Sequence, residues 1–167
     1  QIICLGAFDE VANSPDPMNI RVGAVGSLTE FDIDEEGQNS VFEERLSVGS
    51  RIITGVRTRA GILVGTDKAD YIMQDDAQDI FRVFKVAEGN APIAPNAMVE
   101  VDGVAYYMAP FKFMRFDGVL DEIPCEVWQH VFAETIAGVA NPDVINRTQV
   151  DKTYCWYNEK FSELWWF

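Results

Sequence analysis

Downstream of residue 51, short runs of β-branched and aromatic residues alternate with small clusters of Gly, Asp, Asn and Lys, the pattern of an antiparallel all-β domain. Runs at 52–58, 62–66 and 71–74 predict one meander, turning at Arg59-Ala60-Gly61 and Asp67-Lys68-Ala69, with Gly61 free to take positive φ because it lacks a Cβ. Runs at 97–101, 104–108 and 113–116 predict a second. There Asp102-Gly103 is a strong hairpin signal, and Asp117-Gly118 closes the third strand. Leu63, Val99, Val101, Tyr106 and Trp165 lie in such runs and are the expected core.

The two meanders match when Gly61 is laid on Gly103, Ile62 on Val104, Tyr71 on Phe113, Ile72 on Met114 and Asp75 on Asp117, an offset of 42 residues. A period of about 40–45 residues with several short strands per unit marks a β-propeller blade. A third hairpin, 152–157 and 161–167 across Asn158-Glu159-Lys160, opens a further blade. Between them one short helix is expected from Pro124 to about Ile136. Val127 with Val131 and Trp128 with Phe132 fall at i, i+4 there, Gly138 is its stop, and it should cap a sheet edge. The organisation expected is an acidic loop-rich segment at 1–50 with one or two first-blade strands, two meanders at 51–123, the helix at 124–138 and the new blade at 139–167. The chain opens on Gln1 and stops inside Leu164-Trp165-Trp166-Phe167, so it reads as a fragment of a larger propeller.

Charge narrows the functions. With 27 acids against 13 Lys plus Arg the net charge is −14, which argues against avid phosphate binding, since that needs clustered cations. A composition 48% hydrophobic can bury a core and excludes disorder of the low-hydrophobicity kind. The longest uncharged run, 89–99, is half a membrane span and holds two prolines, so no membrane partner is expected. Cys4, Cys125 and Cys155 are odd in number and lack Cys-x-x-Cys spacing, which indicates neither a disulfide framework nor a zinc site and fits a reduced intracellular or virion setting.

Few residues offer catalytic chemistry. His130 is the single histidine, flanked by Glu126 and Glu134 at four residues on either side, and reads as a solvated surface residue; Cys125 is turned away from it on a helix. Asp32-x-Asp34-x-Glu36-Gly37 with Glu43 at the twelfth position imitates a calcium loop. Asp32, Asp34, Glu36 and Glu43 would be the ligands, but two glycines between 21 and 31 spoil an entering helix, so a solvated acidic loop is favoured. No phosphate-binding glycine loop, His-Glu-x-x-His or Gly-x-Ser-x-Gly occurs. Asp75-Asp76 and Asp121-Glu122 sit at turns and read as solvated acids. Arg57 and Arg59, two apart on one strand, could meet an anion or an acidic neighbour. Tyr106, Tyr107, Trp156, Trp165 and Trp166 lack interleaved basic residues, which favours core or subunit contact over nucleic-acid stacking.

In chain order, Asn19-Ile20-Arg21, Gly26-Ser27-Leu28-Thr29-Glu30-Phe31, Arg45-Leu46-Ser47-Val48-Gly49-Ser50-Arg51-Ile52 and Gly55-Val56-Arg57-Thr58-Arg59-Ala60-Gly61-Ile62-Leu63-Val64 resemble one family, as do 94–103 (Ala-Pro-Asn-Ala-Met-Val-Glu-Val-Asp-Gly) and Glu163-Leu164-Trp165-Trp166-Phe167. Together they resemble the tail hub or nozzle proteins of short-tailed bacteriophages, the group that includes packaged-DNA stabilisation proteins. Phe31 stands where that family has a tryptophan, and the acidic stretch 32–37 replaces a more neutral loop. The resemblance implies a β-propeller in a homo-oligomeric ring in the virion tail. Portal or adaptor and other tail proteins would be its neighbours, DNA would pass through its lumen, and neither catalytic residues nor a cofactor would be needed. The expected lumen is acidic or neutral, because residues 1–50 carry −8, 51–80 carry −1 and 81–167 carry −5. Arg57, Arg59, Lys112 and Arg115 are then expected at subunit contacts. The alternative is a β-propeller ligand- or calcium-binding module with the acidic loop 32–43 as its site.

Overall fold

Four antiparallel sheets follow one another along the chain in the computed structural model, which describes residues 2–9, 13–32, 41–76 and 81–167. The strands are β1 (Ile3–Leu5), β2 (Phe8–Asp9), β3 (Ser14–Pro15), β4 (Asn19–Val22), β5 (Phe42–Arg45), β6 (Ile52–Thr58), β7 (Gly61–Thr66), β8 (Ala69–Asp75) and β9 (Phe81–Glu88). They continue with β10 (Met98–Val101), β11 (Val104–Ala109), β12 (Lys112–Phe116) and β13 (Leu120–Ile123), then helix α1 (Trp128–Phe132), β14 (Thr135–Ile136), β15 (Val139–Ala140), β16 (Cys155–Asn158) and β17 (Glu163–Trp166). The sheets are β1-β4-β5, β6-β7-β8-β9, β10-β11-β12-β13 and the hairpin β16-β17, with β2-β3 and β14-β15 as small extra hairpins. The fold is all-β, as its alternating runs predict.

Each sheet packs on the next through its own apolar layer. Ile20, Val22 and Leu46 of the first unit meet Val64, Tyr71 and Met73 of the second; Leu63 and Ile72 on the opposite face meet Ala105, Tyr107, Met114 and Phe116 of the third. On that sheet's far side, Met108 and Phe113 meet Phe132 of α1 and Trp166 of β17. The opening strands β1, β6, β10 and β16 are all edge strands, and they run beside one another in that order. The Cys155 amide donates to the Asn96 carbonyl at 2.7 Å beside β10, and the Arg59 amide donates to the Gly103 carbonyl at 2.9 Å.

Strand pairing sets the true repeat. Thr58 pairs with Gly61 and Gly65 with Asp70, as Val101 pairs with Val104 and Met108 with Phe113, so equivalent positions lie 43 residues apart, not 42. The one-residue difference inverts every side chain, because strands alternate faces with period two. The glycines caused the slip. Gly61 is the first residue of β7, at φ +136°, where a Cβ would run into the Met73 carbonyl, whereas Gly103 is the second residue of a two-residue turn, with Asp102 at φ 51° and Gly103 at φ 82°. With the 43-residue offset, Ile62, Val64, Tyr71 and Met73 correspond to Ala105, Tyr107, Met114 and Phe116, and both sets face the preceding sheet.

Other expectations change for related reasons. Leu63 is fully buried, but Tyr106, Val99 and Val101 are only half-buried and Trp165 is exposed; the buried neighbours are Tyr107 and, partly, Trp166, one residue along. Among the described residues of the first fifty there are five strands and not one or two, three of them in a sheet. Both meanders gain a fourth strand, β9 and β13, whose outer-edge position leaves them charged and mixed in pattern. The helix is five residues long and begins at Trp128. Gly138 does not stop it: Ala137 and Gly138 turn the β14–β15 hairpin at φ 52° and 82°. The last hairpin is shorter than 152–157 and 161–167, and Val150–Lys152 is a 3-10 turn.

Candidate functional site

The hairpin β16–β17 turns alternate residues to opposite sides. Cys155, Tyr157, Leu164 and Trp166 form the half-buried side; Trp166 packs beside Met108 and Phe113 of the third sheet and its indole N–H donates to the Ala97 carbonyl at 3.1 Å, while burial pushes the Cys155 thiol up to about 12. Tyr154, Trp156, Trp165 and Phe167 point outward and are about half exposed. They form one contiguous surface. Trp156 meets Trp165 edge-on at 6.3 Å, Trp165 meets Phe167 at 5.9 Å, and Phe167 stacks on Tyr154 at 4.9 Å. Glu163 accepts the Trp165 indole N–H at 3.0 Å and so places a carboxylate at the rim of this surface.

At the junction of the first and second sheets, a groove of about 950 Å³ opens between β1 and the tip of the β6–β7 turn. Leu5, Val56, Ile62, Met73 and Phe81 give it apolar walls, and Arg57 and Arg59 lie along it. The two arginines do not share a strand face, because β6 ends at Thr58 and Arg59 belongs to the turn. Arg59 is committed within the chain: its Nε lies 3.3 Å from Asp117 Oδ1 and its Nη2 donates to the Asp102 carbonyl at 2.6 Å, which joins the turns of neighbouring sheets. Lys112 pairs with Glu122 at 3.5 Å and Arg115 with Asp121 at 3.3 Å, both on exposed surface where such pairs contribute little. Exposed Arg57 makes no ion pair among the described residues.

A polar pair that sequence reading missed lies between the second and third sheets. Asp70 of β8 is fully buried and accepts a hydrogen bond from the Tyr107 hydroxyl of β11 at 2.9 Å through Oδ2, while its Oδ1 has no hydrogen-bond partner among the described residues. Burial raises the Asp70 carboxyl to about 7, and the hydrogen bond from Tyr107 only partly offsets this. Burial, and then the adjoining carboxylate, raise the Tyr107 phenol as well. The only local signal was an acid inside the apolar run Ala69-Asp70-Tyr71-Ile72-Met73.

Of the calcium-loop residues, Asp34, Glu36 and Gly37 lie outside the described residues. Glu43 is drawn inward: it accepts from Asn19 Nδ2 at 2.7 Å, and its other oxygen lies 3.8 Å from the Arg21 guanidinium. Asp32 is described but sits with no group of three metal-ligating side chains, and no such group occurs among the described residues. His130 is exposed, while Glu126 and Glu134 fall just beyond the ends of α1. Among the described residues, no helix is long and apolar enough to cross a membrane. Neither the known protein-family models nor the curated proteins contain a match to this chain.

Proposed function

We propose that this chain is a structural subunit of the tail hub or nozzle of a short-tailed bacteriophage. In this reading it is part of a β-propeller, it assembles with other copies into a ring, and it forms a wall of the conduit through which DNA leaves the particle, helping to retain the DNA until then. The observation that carries the reading is the succession of sheets: each meander stacks on the one before it, and the opening strands β1, β6, β10 and β16 lie side by side, as the inner strands of propeller blades do. The order of family-like segments along the sequence supports it, and so does the charge of −14. A basic wall would bind phosphates by counterion release and would have to let go at every step of ejection, whereas an acidic wall keeps the duplex mobile.

Electron microscopy of particles carrying a label on this chain tests the role. Label on the tail axis is the expected result; its absence from tails overturns the reading. For the purified protein, duplex DNA at about 0.15 M salt is expected to bind more weakly than the ~10⁻⁴ M end of ordinary non-specific affinity. Tighter binding would remove the slippery-wall argument.

A further inference from the structure

We propose that the contact between the second and third sheets is a pH-operated joint, closed while the Asp70 carboxyl is protonated and loosened when it ionises, with the contact between the first and second sheets staying shut. The joint is independent of the tail reading and would work in this stack of sheets in any assembly.

The two contacts differ in what they bury. Toward the first sheet the second presents Val64, Tyr71 and Met73, and the Tyr71 hydroxyl there accepts from the Val48 amide at 2.8 Å. Toward the third it presents Leu63, Ile72 and the fully buried Asp70, whose Oδ1 has no hydrogen-bond partner among the described residues. A protonated carboxyl is neutral and sits there with its one bond from Tyr107; a carboxylate in the same place is a buried charge with a single donor, which is costly.

No cation is placed to offset that charge. β7 has no ionisable residue and sets Gly65 opposite Asp70; the connection 89–97 has none either, and its Pro92 ring packs on Gly65. Asp75 is exposed at the far end of β8, Asp67 in the β7–β8 turn accepts from the Ser50 amide at 2.7 Å, and Lys68 is exposed. On β9, Arg82 pairs with Asp76 and Lys85 with Glu88; on β12, Lys112 and Arg115 pair with Glu122 and Asp121; Arg57 of β6 lies on the groove beside β1, and Glu100 of β10 is exposed. On β11 the Tyr107 phenol is the titratable group that meets Asp70. Burial and that one bond set the proton affinity of the carboxyl.

The joint is tied at one end and open at the other. Where the β6–β7 and β10–β11 turns meet, Arg59 holds the sheets together through Asp117 and the carbonyls of Asp102 and Gly103. Asp70 and Tyr107 lie toward the opposite ends of their strands, near the β7–β8 and β11–β12 turns. There Lys68, Gly89, Ala91 and Pro110 line a cleft of about 350 Å³, from which water reaches the carboxyl after a small swing about the Arg59 tie. The closed joint keeps the Asp70 proton up to about pH 7, while an opened one releases it near the ordinary 3.8. Opening therefore gains about tenfold for each pH unit between about 4 and 7, and nothing further above.

Methyl NMR of the whole chain, with the Asp70 carboxyl followed through its carbon shift, tests this. The expected result is an Asp70 midpoint near 7 and, between about pH 5 and about pH 8, loss of the nuclear Overhauser contacts joining Leu63 and Ile72 to Ala105 and Met114. Contacts joining Ile20 and Val22 to Val64 should persist. Asp70→Asn should keep both sets at pH 8. Tyr107→Phe removes the donor that favours the carboxylate and should move the Asp70 midpoint higher. The wild-type titration decides the matter even where a variant fails to fold. An Asp70 midpoint near 4, contacts to the third sheet that survive its ionisation, their equal loss in Asp70→Asn, or loss of both sets together would each overturn the joint.

Discussion

Asp70 in the second sheet and Phe113 in the third occupy the same place, the residue paired with the fifth position of the preceding strand. One is a carboxyl buried against a phenol; the other is a ring packed on Phe132 at 5.3 Å and Trp166 at 4.8 Å. The faces turned toward the preceding sheet do not diverge in this way: Ile62, Val64, Tyr71 and Met73 are matched by Ala105, Tyr107, Met114 and Phe116, apolar or aromatic throughout. The repeat is thus carried by one face, which always meets a sheet, while the opposite face is fitted to whatever lies in front of it. Asp70 is tolerated because Tyr107, the equivalent of Val64, brings a hydroxyl to it.

The comparison breaks most visibly at the apolar faces. Phe116→Ala, at a residue 1% exposed, should cost about 3–5 kcal/mol in urea unfolding, and Met73→Ala at the equivalent position about 2–5 kcal/mol. A cost near zero at Phe116 would mean that the second and third sheets are not packed together.

Asp70 sharpens the contrast through pH. Its folded-state value of about 7 lies above the ordinary 3.8, so the folded protein holds this proton more tightly than the unfolded chain does. Its contribution is fully present below about pH 4 and is lost as pH rises through 7, up to about 4 kcal/mol in all. Asp70→Asn cannot ionise and leaves an amide oxygen for the Tyr107 hydroxyl, so chemical unfolding from pH 4 to 8 should show a flatter profile and greater stability than wild type at pH 8. An unchanged slope would show that the carboxyl does not remain buried.

Smaller effects separate the two hairpin tips and the two faces of the last hairpin. Gly61→Ala places a Cβ at φ +136° against the Met73 carbonyl and should cost about 1–3 kcal/mol; its equivalent in the third sheet is an ordinary valine, Val104. Trp165→Ala should change the stability of the isolated subunit by less than about 0.5 kcal/mol, since its side chain faces away from the third sheet. A large destabilisation there would mean that the hairpin is turned over.

Strand runs, turn positions and the all-β class were legible in the sequence because they are local. Asp102-Gly103 specifies a two-residue turn by its own backbone preferences, and runs such as Ile52–Thr58 carry β-branched residues wherever they end up. The acidic charge and the approximate period were legible too. The direction in which each strand turns was not: with both faces of the middle sheets buried, alternation is lost, and the glycine match chose the wrong parity by one residue. That single residue separates Tyr106 from Tyr107. The candidate site suffered likewise. Arg57 and the tryptophans could be named from the sequence, but the ion pair that occupies Arg59, the partner of Asp70 thirty-seven residues away and the groove walled by β1 and β6 depend on which sheets meet. Burial is a property of neighbours, and neighbours distant in the chain are chosen only when the sheets stack.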